Sequence, residues 1–201
     1  PISEKYAEAK QLKSIALQKN LCLFVGHSLI YHPVINEIKK LIKNDPIIYF
    51  SMNWQKFGSF KENIFLNLLS HELSILLELI GKPKKISIIS SKGVISNLDI
   101  ITIKIIFSKN CNGIITIDRV SKNSKKTMSI VTKNQSFVWE DYDLYKLNKK
   151  TIQYTKIFNS KKTSVSNEIN EFLNKIKLKD NNKHNLEIAT NIVKLVSDLI
   201  D

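Results

Sequence analysis

Between residues 84 and 157 one pattern recurs: short runs that alternate apolar and polar residues or are rich in β-branched ones. They are KKISIIS (84–90), DIITIKIIFS (99–108), GIITIDRV (113–120), KTMSIVTK (126–133), SFVWED (136–141), YDLYKL (142–147) and TIQYTKI (151–157). KNCNG (109–113) and KNQ (133–135) supply turns between them. A period of two sends successive side chains to opposite faces of a strand. Strands joined by short turns pair antiparallel. Such a chain is committed to a broad, largely antiparallel sheet, and everything else must cover or extend it.

Helical spacing appears at both ends. Residues 3–19 predict a helix capped by Ser3, and Val34, Ile35, Ile38, Leu41 and Ile42 mark another over 34–43. LCLFVG (21–26) is a continuous apolar run closed by glycine, as in a strand of a parallel sheet covered on both faces. IIYFSMNW (47–54) predicts a further strand. Two helices close the chain, near 165–177 and 184–200, joined by the polar KLKDNNKHN (177–185). A lone parallel strand needs parallel neighbours, and none precedes it here. The chain therefore reads as the tail of a doubly wound domain joined to a second, larger α+β domain.

Composition narrows the function. The net charge is +13, but of the 31 basic residues Arg119 alone is arginine. Nucleic-acid surfaces lean on the planar arginine fork, and these lysines are spread along the chain, so a solvated lysine surface is expected and no nucleic-acid partner. Asn67, His71, Glu72 and Glu78 interrupt the longest apolar run (64–80), so no membrane partner is expected either. With no signal-peptide pattern and only Cys22 and Cys111, the cytoplasm is the expected compartment.

The segment NIFLNLLSHELSILLELIGKP (63–83) predicts a strongly apolar helix that still carries polar residues. Asn63, Asn67, Ser70, His71, Ser74 and Glu78 are spaced to form one stripe. Either the stripe faces water, or it lines a cleft where His71 moves a proton with Asn67 beside it. No carboxylate or cysteine completes a metal set there, and no metal is expected. His27 follows the buried run 21–26, at the end where open α/β sheets bind ligands; otherwise it is an exposed loop histidine. Trp54 and Lys56 precede Gly58 and could stack on and pair with a sugar or phosphate, or serve as a core anchor and a surface charge. The glycines, at 26, 58, 81, 93 and 113, form no phosphate-binding loop.

Taken in order, these segments resemble the Gfo/Idh/MocA family of NAD(P)-dependent sugar and polyol oxidoreductases, cut at its front. Pro1 matches the proline of the family's Glu-Lys-Pro tripeptide, and LCLFVGHSLIYHP (21–33) matches its strand and loop. FLNLLSHELSILLELIGKPKKISII (65–89) resembles the helix of its second domain, and NEINEFLNKIKLKDNNKHNLEIATNIVKLV (167–196) its closing pattern.

The resemblance implies an α+β (α/β) fold. Residues 1–32 would be the C-terminal remnant of a dinucleotide-binding Rossmann domain, ending in its last helix–strand unit. Residues 33–201 would be a substrate-binding and oligomerisation domain with a large, mostly antiparallel open sheet covered by helices. It implies NAD or NADP as cofactor, a sugar or nucleotide-sugar substrate, and a homo-oligomer formed through the open sheet. His71 matches the histidine that acts on the substrate hydroxyl. Asn67 stands where many members carry aspartate, and an amide can hydrogen-bond but cannot act as a base. Pro1 and His27 fall on the cofactor side, and Tyr31, Trp54 and Lys56 on the substrate side. The family's catalytic lysine would directly precede Pro1, so the chain by itself is expected to be inactive. A non-catalytic scaffold or oligomerisation module of the same fold is the alternative.

Overall fold

A computed structural model describes residues 1–107 and 110–200. Ser108 and Lys109, at the junction of a predicted strand and turn, and Asp201, the last residue of the predicted second domain, lie outside the described residues. The fold is α+β. In chain order the elements are α1 (Tyr6–Gln18), α2 (Pro33–Ile42), β1 (Ile47–Gln55), α3 (Ser70–Leu79), then β2 (Lys85–Lys92), β3 (Ile100–Ile106), β4 (Asn112–Asp118), β5 (Lys125–Thr132), β6 (Ser136–Glu140), β7 (Asp143–Asn148) and β8 (Gln153–Asn159), and finally α4 (Ser164–Lys177) and α5 (Lys183–Ile200). A 3-10 turn (Ser28–Tyr31) precedes α2, and one π-helical turn (Phe65–Leu69) leads into α3.

The chain divides into two compact units: residues 1–32, 65–81 and 162–201 form one, and residues 33–64 and 82–161 the other. The second unit holds the sheet, whose strands run in the order β2-β3-β4-β1-β5-β6-β7-β8. Among the described strands only β1 and β4 pair parallel; the other neighbours are antiparallel. The exception follows from the path. After β1 the chain leaves through residues 56–84, re-enters at the far edge as β2 and returns by way of β3 and β4 to lie beside β1. Alternation buries one face, with Ile101, Ile103 and Ile105 on β3, Ile115 and Ile117 on β4, and Met128 and Ile130 on β5.

Gly113 is required at the parallel joint. It lies opposite Phe50, and a Cβ there would come 2.1 Å from the Phe50 carbonyl oxygen and 2.7 Å from its ring. The missing side chain is what lets the buried Phe50 ring cover β4.

Arg119, the chain's lone arginine, is buried, as is Asp99. Its Nε donates to Asp99 Oδ1 at 3.1 Å, and its remaining nitrogens donate to the Ser59, Glu62 and Leu98 carbonyls and to Ser96 Oγ. Asp99 Oδ2 accepts the main-chain N–H groups of Val94, Ile95 and Ser96. Every polar group of this pair has a partner, the condition under which a buried charge is tolerated. The cluster ties loop 59–62 to loop 94–99.

In the first unit α1 and α3 pack on α5, and the 3-10 turn packs against α3 and α4. Two local expectations change here. Ser3 does not cap α1, which starts three residues later than predicted. Its Oγ accepts the Lys5 N–H at 3.2 Å and donates to Glu8 at 2.6 Å. Residues 21–26, expected as a strand, form no ladder with any described strand. A strand exists only by pairing, and this segment's hydrogen bonds go elsewhere.

Candidate functional site

Those bonds go to side chains. Asn182 Nδ2 donates to the Leu23 carbonyl at 3.2 Å. Asn185, itself buried, takes both main-chain groups of Val25: Oδ1 accepts the N–H at 2.9 Å and Nδ2 donates to the C=O at 3.0 Å. The Glu168 carboxylate accepts the N–H of His27. Residues 23, 25 and 27 face one edge of an extended segment, and side chains from α4, α5 and the link between them bond that edge as a neighbouring strand would.

This row ends at His27, whose side chain is 1% exposed. It is therefore not an exposed loop histidine. Neither ring nitrogen has a hydrogen-bond partner. Burial, with smaller contributions from His71 and the Pro1 ammonium, lowers its pKa to about 3, so the ring is neutral at physiological pH. The His71 ring meets it edge to face, with centroids 6.4 Å apart and planes at 84°.

His71 stands in the first turn of α3, directly after the π-helical turn that carries Asn67. Single π turns inside helices recur at functional sites. The polar stripe is not uniform: Ser70 and Ser74 are buried, and Asn63 is exposed. The serines are accommodated by bonding back to their own helix. Ser70 Oγ donates to the carbonyls of Leu66 (2.8 Å) and Asn67 (2.9 Å), and Ser74 Oγ to that of His71 (2.7 Å). Asn67, His71 and Glu78 remain half-buried, and Glu78 meets His184 Nε2 at 2.7 Å.

Tyr31 stacks on Phe24, which packs against Phe172. Its hydroxyl lies 3.4 Å from Asn185 Nδ2, and burial pushes its pKa up to about 12, so it remains a phenol and a hydrogen-bonding group. The first unit thus brings together His27, His71 and Tyr31, with Asn67 one turn before His71. Pro1 belongs to the same unit and is exposed.

Trp54 and Lys56 belong to the second unit. Trp54 is the penultimate residue of β1, and its ring has Lys126 Nζ 4.3 Å and Lys56 Nζ 5.6 Å from its centroid. A half-buried indole flanked by two ammonium groups is a cation–π arrangement, with Trp54 near the end of β1 and Lys56 in the loop that follows it. Among the described residues no group of three or more His, Cys, Asp or Glu could hold a metal ion, and no helix is long and apolar enough to cross a membrane.

Sequence reasoning missed Glu168, Asn182 and Asn185. Asn185 did leave a signal: it stands four residues before Ala189 on the apolar side of α5, where a polar residue must find a buried partner. Glu168 left none, because α4 reads as an ordinary amphipathic helix.

No protein-family model matches the chain, and no curated protein matches it in sequence. Solved structures do match in fold. UDP-N-acetylglucosamine 3-dehydrogenase GnnA from Acidithiobacillus ferrooxidans superposes with a TM-score of 0.86 at 17% identity, covering 98% of this chain and 66% of that one. KijD10, a 3-ketoreductase from Actinomadura kijaniata solved in complex with NADP, gives 0.82 at 9% identity, covering 100% and 67%. The dehydrogenase MviM from Clostridium difficile gives 0.76 at 16%, covering 99% and 69%. The chain has the fold of Gfo/Idh/MocA-type oxidoreductases and spans about two thirds of the length of these relatives.

Proposed function

We propose that the chain is the carboxyl-terminal portion of an NAD(P)-dependent oxidoreductase acting on a hydroxyl or carbonyl of a sugar or nucleotide sugar. The observation that carries this reading is the His27–His71 pair: a half-buried histidine after a π turn, edge to face with a buried neutral one, in a fold shared with a nucleotide-sugar dehydrogenase. His71 is assigned the proton of the substrate hydroxyl, and Asn67 orients the substrate or His71 by hydrogen bonding, since an amide is no base. His27 and Pro1 are assigned to the cofactor side. Tyr31, Trp54 and Lys56 are assigned to the substrate, whose phosphates the two lysines around Trp54 would suit. Residues 1–32 would end a dinucleotide-binding domain and residues 33–201 form the sheet domain, in the cytoplasm.

The described residues fit only part of a nicotinamide cofactor. No glycine-rich turn is present, and Gly26 faces the Glu168 carboxyl, which does not suit a diphosphate. The cofactor, when bound, supplies the hydride. What these residues contribute is placement of the substrate and custody of its hydroxyl proton.

A homo-oligomer through the sheet is part of the proposal. The face opposite the core carries half-buried Ile114, Thr116, Val131 and Val138, a mixed surface suited to a second copy. The test is hydride transfer from NADH or NADPH to a panel of keto-sugar nucleotides. Protein expressed with its upstream reading frame is expected to be active, and the 201-residue chain alone inactive. Turnover by the chain alone, or none by either, overturns the reading.

A further inference from the structure

We infer that Glu168 is a positioning residue, whose carboxylate clamps the main chain at His27 and thereby sets the edge-to-face approach of the His27 ring to His71. Three observations carry this. The segment leading to His27 has no sheet ladder to hold it, so its placement depends on the row of side-chain bonds at 23, 25 and 27, of which Glu168 makes the last. The ring itself supplies no anchor, because both its nitrogens are buried without a partner. Orientation must then come from the backbone and from packing. Finally, the carboxyl lies close under the segment: a Cβ on Gly26 would touch Glu168 Oε1 at 3.6 Å.

Glu168 uses one oxygen for this clamp. Oε1 is buried without a partner. Burial raises its pKa, and the His27 N–H opposes that rise by favouring the carboxylate. Asparagine fills the two earlier places in the row, and a carboxylate the place nearest the histidines. A charge-assisted bond from a main-chain N–H to a carboxylate is shorter and stronger than one to an amide, and it is spent where the position of a ring matters most. The functional consequence rests on the proposed role of His71; the clamp itself does not.

The test is therefore made on the 201-residue chain without an activity assay. Imidazole 15N and 13C shifts of His27 and His71, and exchange of the His27 amide proton, are measured for the native protein, Glu168→Gln and Glu168→Ala. Gln keeps an acceptor oxygen and is expected to retain both ring signatures, with His27 amide exchange within a few-fold of native. Ala is expected to speed that exchange at least tenfold and to move the ring signals of both histidines. Native-like rings and exchange in Glu168→Ala overturn the proposal. So does a Gln variant that behaves as a folded Ala variant does. If Ala fails to fold, Gln decides alone: retained signatures support the clamp, and altered ones in a folded protein overturn it.

Discussion

The carboxamide of Asn185 bonds both main-chain groups of Val25, accepting its N–H at 2.9 Å and donating to its C=O at 3.0 Å across 160 residues of sequence. One side chain thus does the work of a strand's rung and ties the helix ending the chain to the segment before His27. Replacing it by alanine leaves two buried backbone groups unsatisfied, at about 1–3 kcal/mol each. Asn185→Ala is expected to lower unfolding free energy by about 2–4 kcal/mol in urea titration. Asn185→Asp should also destabilise, since it keeps the acceptor and loses the donor. A loss below about 1 kcal/mol for Ala would show that the rung is not made.

Gly113→Ala should damage the parallel joint of the sheet. The nearest obstacle to a Cβ is the Phe50 main-chain oxygen at 2.1 Å, which cannot yield without moving β1. Overpacking of this kind costs about 1–3 kcal/mol or more. Thermal unfolding of Gly113→Ala should show it, and the double variant Gly113→Ala/Phe50→Ala should not recover stability, because the clash is with backbone.

Arg119→Lys is expected to behave as a severe change. Lysine replaces a planar fork that reaches the Ser59, Glu62 and Leu98 carbonyls, Ser96 and Asp99 with a compact ammonium. Breaking a buried ion pair costs about 3–5 kcal/mol, and Arg119→Met should reach that range. A loss under about 1 kcal/mol for either variant would contradict the buried network.

Stability should fall with acid through His27. Its folded pKa of about 3 lies below the ordinary 6.5, so the unfolded chain binds the extra proton between these values. The contribution is complete above pH 6.5 and shrinks by about 1.4 kcal/mol per unit as pH falls towards 3. His71, the Pro1 amine, Tyr31 and Glu168 share this environment. Glu168, its pKa raised by burial, acts in the opposite sense, gaining as pH falls. The difference in stability between the native protein and His27→Gln, followed from pH 7 to 4, isolates the histidine. It should shrink steadily, and a constant difference would place His27 in contact with water.

The sheet was legible because alternation is local: all seven runs from 84 to 157, and the run at 47–54, became strands within a few residues of their predicted limits. Strand order was not legible, since the parallel β1–β4 pair depends on where residues 56–84 carry the chain. The strand predicted at 21–26 shows the limit of composition, because an apolar run says neither how deeply a segment is buried, here only at Val25, nor what bonds it. Asn185 bonds it from 160 positions away, and Glu168 bonds the adjoining His27, beyond any local pattern. The polar residues of 63–78 are legible as a pattern, but their local geometry is not. A π turn interrupts the pattern, and its serines are turned onto their own backbone.

The most direct test of the account is the turnover of His71→Ala. It is measured as hydride transfer between NAD(P)H and the best nucleotide-sugar of the panel, in protein expressed from the complete reading frame. A residue that manages the hydroxyl proton is worth about 10²–10⁴ in rate, so kcat should fall by at least a hundredfold with the fold and cofactor affinity intact. A folded His71→Ala protein that turns over at the native rate would contradict the role assigned to His71 and, with it, the proposed site.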